Sequence, residues 1–236
     1  EGPYGAVPEV APPTGLRVRT HETPPGAEPL PPMPWTVNEA AQVWTPRLAH
    51  LVEQANASQW NASLDIPWRE AKGLPDGAEA ATCEVFTWLL QQELVAHHVP
   101  ASWIPRINPA FVEVKAFLSG KVMDEARHTE VCIKRLWLNG HGPAVTGPET
   151  DAGLALLCGL EDYEQASLLV DVLGEGQILD VFKIVHDLAP DEATRRIVLL
   201  SRRDEARHVS YGVGRLRHRL ETARDPDVFA ARVVEW

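Results

Sequence analysis

The pentapeptide Asp124-Glu125-Ala126-Arg127-His128 recurs letter for letter as Asp204-Glu205-Ala206-Arg207-His208, and both copies fall inside long stretches with helical spacing. At 3.6 residues per turn, a Glu and a His three positions apart project from one helix face, about one turn apart. A carboxylate and an imidazole so placed can hold one metal ion, and the carboxylate can bridge to a second. The Asp four residues before each His lies on the same side, where it can accept the free imidazole N–H. Arg127 and Arg207 can then hold this carboxylate network in place. A single Glu-x-x-His pair also arises on solvated, charge-patterned helix surfaces. Two identical copies are hard to reach that way, so the repeat predicts two helices facing each other across a bundle.

The rest of the chain supplies such helices. Ten of the 20 prolines lie between Pro3 and Pro34, so residues 1–36 are expected as an extended or disordered arm that propagates neither helix nor strand. From residue 37 onward the pattern is helical. Helices are expected over 45–62 (Thr45 as N-cap, Pro46 in the first position), 77–98 (stopping before Pro100), 110–139 (ending at Asn139-Gly140), 150–187 (with Gly174 and Gly176 as soft points), and from Pro190-Asp191 to about 223. Strand-type alternation is nowhere sustained. The expected fold is all-α: a helical bundle over 37–236 with an additional N-terminal helix.

A bundle carrying two Glu-x-x-His helices needs one further carboxylate from each remaining helix to complete a dinuclear centre. In the fourth helix Glu175 is preferred over Glu161, Glu164 and Asp171. It lies among Leu169, Val170, Val172, Leu173, Ile178 and Leu179, where an acid is costly to bury without a metal partner. A short antiparallel turn also puts it level with Glu205. In the second helix Glu84 and Glu93 are half a turn out of phase, so only one can face the centre. A simple hairpin levels Glu84 with Glu125 and leaves the choice open.

Composition excludes several other classes. With 22 Lys+Arg against 33 Asp+Glu the net charge is −11, which argues against nucleic acid or an anionic membrane as partner. Cys83, Cys132 and Cys158 have no CxxC spacing, so neither a disulfide framework nor a zinc-thiolate site is expected, and a reducing cytoplasm is the default compartment. No apolar run approaches the ~20 residues that cross a bilayer.

Across roughly residues 77–215 this constellation resembles the ferritin-like di-iron carboxylate proteins. It is most similar to the hydroxylase subunits of bacterial multicomponent monooxygenases, with kinship to ribonucleotide-reductase small subunits. The matching residues are Glu93 in Gln-Glu-Leu-Val-Ala, the two pentapeptides, Cys132, and Glu175-Gly176. The resemblance favours Glu93 over Glu84. It implies Glu93, Glu125, His128, Glu175, Glu205 and His208 as catalytic iron ligands, with Asp124, Asp204, Arg127 and Arg207 as outer partners. Cys132 stands where radical-generating subunits carry a tyrosine, which weakens a tyrosyl-radical role. Ser201 stands where the arylamine N-oxygenases carry a third histidine.

Oxygen-rich ligands plus two imidazoles suit iron or manganese better than zinc. The functional expectation is therefore an O2-activating oxygenase or oxidase with two Fe ions, a Mn/Fe pair being equally compatible. A small organic substrate would bind in the bundle, with electrons from a separate reductase or ferredoxin. A homodimer remains open. The rivals are a ferroxidase or rubrerythrin-like iron or peroxide handler, a radical-storing subunit, and a metal-free scaffold. Lesser signals carry bland readings: His97 as an exposed helix-end residue, Tyr211 as a packed core tyrosine rather than an electron relay.

Overall fold

The computed structural model describes residues 4–16, 26, 28, 31–71 and 73–236. Of the expected arm, residues 1–3, 17–25, 27, 29 and 30 lie outside these. The described part of 1–36 runs extended over the helices. Ala11 N–H donates to Asn38 O (2.8 Å) and Met33 N–H to Pro13 O (3.0 Å), while Ala11 is fully buried in a core cluster with Val43, Leu48 and Leu51.

The helices follow in the order α1 Ala40–Val43, α2 Leu48–Ala57, α3 Asp76–Trp103, α4 Val112–Trp137, α5 Pro148–Cys158, α6 Tyr163–Ser167, α7 Glu175–Leu188, α8 Glu192–Thr222 and α9 Pro226–Glu235. A π-helical segment, Leu168–Gly174, joins α6 to α7. No strand forms among the described residues, so the all-α expectation holds. Helix α3 packs along α4 and α7 along α8, and α4 meets α8 to close a four-helix bundle, with α2 laid across α4 and α8.

Several boundaries differ from the sequence reading, each for a local reason. The helix expected over 45–62 is α2, which begins at Leu48 rather than Thr45 and ends at Ala57. Thr45 is buried against α8 instead, where a Cβ on Gly214 would approach its Oγ1 to 2.7 Å. Helix α3 continues through Pro100 to Trp103. Pro100 cannot bond to the Ala96 carbonyl, yet buried Val99 and Trp103 hold the last turn in the core. The expected single helix 150–187 breaks after Cys158. It restarts where the Asp162 carboxylate accepts the backbone N–H groups of Glu164 (2.8 Å) and Gln165 (3.1 Å), the competition a short acidic side chain offers to a continuing helix. The C-terminal α9 was not anticipated, although Asp225-Pro226 is an N-cap followed by a first-turn proline.

Two apolar clusters fill the bundle ends. One contains Val95, Val99, Val114, Phe117, Leu118, Val170 and Tyr211. The other contains Phe86, Leu89, Val131, Leu136, Ile178, Phe182, Val198 and Leu200. On every bundle helix the residues flanking the waist therefore belong to opposite clusters. Between Leu89 and Val95 sits Glu93; between Leu118 and Val131 sit Glu125 and His128; between Val170 and Ile178 sits Glu175; between Leu200 and Tyr211 sit Glu205 and His208. The waist is polar, and both ends are dry.

Candidate metal centre

Six donor side chains meet at this waist, and none is more than 3% exposed. Their ligand atoms form two groups, each within 4.8 Å: Glu93, Glu125, His128 and Glu205; and Glu125, Glu175, Glu205 and His208. Glu125 and Glu205 belong to both, and they divide their oxygens between them. Glu125 Oε2 is 3.1 Å from His128 Nδ1, and its Oε1 is 3.1 Å from His208 Nδ1. Glu205 Oε1 is 3.0 Å from His128 Nδ1, and its Oε2 is 3.2 Å from His208 Nδ1. At the outer ends, Glu93 Oε2 is 3.2 Å from His128 Nδ1 and Glu175 Oε2 is 3.7 Å from His208 Nδ1.

Glu93 reaches the centre because α3 does not stop at residue 98. With ten more residues to its C-terminal end, Glu93 is level with Glu125 without any climbing connection. Glu84, the competing candidate, is exposed. Glu175 opens α7 directly after the π segment, its N–H bonding to Val170 O across the wider turn. Such a segment re-aims the residue that follows it, a recurring device at functional sites.

Among the buried side-chain atoms left without a hydrogen bond are donor oxygens that a metal pair would satisfy. Glu93 Oε1 and Glu175 Oε2 are buried and accept no hydrogen bond, a situation native interiors avoid unless something else fills it. Four carboxylates match the charge of two divalent ions. The arrangement is able to hold two metal ions, with Glu125 and Glu205 shared.

Outside the donors lies a crossed ring of charge. His128 on α4 directs Nε2 to Asp204 Oδ2 on α8 (3.4 Å), while His208 on α8 directs Nε2 to Asp124 Oδ2 on α4 (3.2 Å). Both arginines span the two aspartates. Arg207 Nη2 donates to Asp204 Oδ1 (2.6 Å) and Asp124 Oδ2 (3.0 Å); Arg127 Nη2 donates to Asp124 Oδ1 and to Asp204 Oδ2 (3.2 Å). Two residues outside the repeats complete the ring. Gln59 bonds both Asp124 and Arg127, and Trp60 Nε1–H donates to Asp204 Oδ2 at 2.6 Å. Nothing in their own sequence context marks them, since the loop that carries them must first be folded onto α4 and α8.

Another residue absent from the sequence expectation is Lys121, fully buried with Nζ 2.5 Å from both Asp171 Oδ1 and Glu175 Oε1. Its signal was its position one turn before Glu125. Asp171, an early rival of Glu175, thus pairs with this lysine. His97 is half-buried and joins neither group. Tyr211 is buried with its hydroxyl bonded to Tyr163 (2.6 Å) and Val43 O (2.9 Å), and Cys132 is buried.

The electrostatics follow from burial and crowding. Burial opposes charge on both imidazoles, but the carboxylates around them outweigh it and raise both pKa values well above the ordinary 6.5. Burial lifts Glu93 to about 8, partly offset by His128. Metal binding must therefore expel protons. Apparent affinity is expected to climb as pH rises through neutrality, and calorimetric binding heats should change with the ionisation enthalpy of the buffer. Heats identical in all buffers would contradict this. Because these folded-state values are raised, their contribution to metal-free stability is complete at low pH and is lost as pH rises through them. The contribution of these groups to metal-free stability should thus fall as pH rises, between about 4.5 and 8 for Glu93 and above 6.5 for the imidazoles.

A cavity of about 40 Å³ adjoins the centre, lined by Val95, Ala96, Leu154, Leu157, Val170 and Ile178 together with Glu93, Glu175 and Glu205. Its walls are aliphatic except at the donors and at Gln92. Helix α5 contributes Leu154 and Leu157 and is tied to α3 by Gln91, whose Nε2 donates to Asp151 Oδ1 (2.6 Å) and Thr146 Oγ1 (3.0 Å).

Neither protein-family models nor curated protein sequences match the chain. Solved structures do. A variant of an R2-like ligand-binding oxidase with an anaerobically reconstituted Mn/Fe cofactor superposes at TM-score 0.58 and 17% identity, over 75% of this chain and 76% of that one. A second variant with an aerobically reconstituted Mn/Fe cofactor gives TM-score 0.61 at 15% identity, over 75% and 74%. A third gives 0.54 at 15%, over 80% and 89%. The chain has the ferritin-like fold of these oxidases.

Proposed function

We propose that the protein is an O2-activating oxidase or oxygenase whose six waist residues hold two iron ions or a manganese–iron pair. The observation that carries this reading is the sharing of Glu125 and Glu205 between two buried donor groups, each oxygen facing a different group. Glu93 and His128 complete one ion's ligands, and Glu175 and His208 the other's. Such a pair, when bound, supplies two adjacent redox-active ions that together can reduce O2. The chain's own task is to fix the donors and keep water out. Asp124 and Asp204 hold each imidazole by its Nε2 so that Nδ1 faces the ions, and the guanidinium groups of Arg127 and Arg207 fix those aspartates. The two apolar clusters exclude solvent above and below.

The aliphatic cavity beside Glu93, Glu175 and Glu205 supports a small, apolar organic substrate bound next to the centre. Beyond the donors themselves its lining carries no acid that would pass iron cations onward to a mineral core, which favours an oxidase over a ferroxidase. Electrons would come from an external reductase or ferredoxin, because the sequence carries no flavin or nucleotide fingerprint. Cys83, Cys132 and Cys158 are all free thiols, which suits a reducing compartment such as the cytoplasm. No helix among the described residues is long and apolar enough to cross a membrane.

The test is anaerobic loading with Fe(II), or with Mn(II) and Fe(II), followed by O2. Two ions retained per chain, with O2 consumed in proportion to the centre, is the expected result. Iron accumulating beyond two per chain as mobile ferric mineral would make the protein a ferroxidase. Failure to bind any ion would leave only a scaffold.

A further inference from the structure

Among the described residues, Glu175 is the one carboxylate of the four at the centre with a cation on it other than histidine. Lys121 Nζ lies 2.5 Å from its Oε1, on the side away from His208, toward which Oε2 is turned at 3.7 Å. The lysine is itself held from behind. Asp171 Oδ1 takes the same ammonium at 2.5 Å, and Asp171 Oδ2 accepts the Ser167 hydroxyl at 2.6 Å. Ser167 Oγ in turn accepts from Arg215 Nε (3.0 Å), whose Nη2 donates to Glu164 O (3.1 Å). All of these residues are buried. The π segment gives this chain its register, because Asp171 lies inside it and Glu175 directly follows it. Gly212 lets α8 approach that segment closely; a Cβ there would meet Asp171 Cβ at 2.8 Å.

An ammonium ion in an interior of low dielectric binds its carboxylate partners strongly, and withdrawing one leaves a poorly compensated buried charge. For Glu175 to chelate an ion with both oxygens, Oε1 would have to hold that ion and Nζ at once, bringing two cations onto one oxygen where they repel. Glu93, whose ion pair among the described residues is with His128 through Oε2, has no ammonium on its Oε1 and is under no equivalent constraint. We propose that Lys121 is a positioning residue that confines Glu175 to a single-oxygen donor. The ion held by Glu125, Glu175, Glu205 and His208 thereby keeps a coordination position open for a further ligand. In an oxygen-rich site of about six positions, four single-atom donors leave two open, whereas a chelating Glu175 would leave one. Glu175 also lines the apolar cavity, so the position Lys121 protects belongs to the ion nearest a route for a small ligand.

This inference rests on the reading of Glu175 as a metal donor, and the test separates the two. Wild type, Lys121→Met and Lys121→Arg are loaded anaerobically with Mn(II), assayed for ions per chain, and crystallised with data at the manganese edge. Wild type and Lys121→Arg are expected to hold Glu175 by one oxygen, with the cation still on the other. Lys121→Met is expected to let both oxygens bind. A purely structural lysine, serving only Asp171, would leave the Glu175 binding mode unchanged in Lys121→Met, and that result overturns the proposal. So does a wild-type structure in which Glu175 chelates and Nζ has moved away. This outcome can be read even if Lys121→Met fails to fold. Fewer than two ions per wild-type chain would instead sink the metal-centre reading itself.

Discussion

Glu205→Ala is expected to lower bound metal from two ions per chain to less than one and to reduce O2 consumption to background. Glu205 gives one oxygen to each donor group, so its loss removes a ligand from both ions at once. Substitution of residues that only orient ligands costs about 10–100-fold in metal affinity; loss of a shared ligand should exceed that range. Glu84→Ala, on an exposed position of α3, is the matched control and should retain both ions. Stability should move the other way. Metal-free Glu205→Ala sheds one of four crowded, buried carboxylates, so its denaturation midpoint should be no lower than that of metal-free wild type. A variant that loses metal only because it unfolds would show the opposite.

The second large effect concerns Asp204. Its carboxylate accepts from Trp60, Arg127 and Arg207 and faces His128, all within the buried interior. Asp204→Ala strips these groups of their common acceptor and leaves two guanidinium groups with Asp124 as their remaining carboxylate in the ring. Breaking a buried ion pair from one side costs about 3–5 kcal/mol. A loss of that size should be seen in urea denaturation of the metal-free protein. Asp204→Asn keeps the shape and gives up the charge, so it should fold better yet still bind metal about 10–100-fold more weakly. Equal stability of Asp204→Ala and wild type would show that the ring contributes nothing to holding α4 against α8.

The two repeats made the central helices legible, because a five-residue identity carries its own three-residue spacing and needs only a helix to become a site. Glu93 was harder. Its level in the bundle depends on how far α3 runs, and the usual reading of Pro100 as a stop hid the last turns that buried Val99 and Trp103 secure. The fourth helix concealed most. A π segment differs from an α-helix by one extra residue per turn and leaves no periodicity that a short apolar run can display. The break near Asp162 was a capping signal outweighed by apolar residues on either side. Lys121 and Trp60 show a different gap. Neither belongs to a motif, and each becomes meaningful only when a distant partner, Glu175 in one case and Asp204 in the other, is brought within bonding distance.

The aspartate of each repeat serves the histidine of the other, 76 positions away in one pair and 84 in the other. Neither half of the centre can therefore be assembled, damaged or tuned alone. Filling one ion's place tightens the imidazole that steadies its neighbour's scaffold, so the two occupancies should rise together on titration rather than in succession. An injury to either repeat should be felt symmetrically, as though the duplicated word were a single clasp closed from both sides.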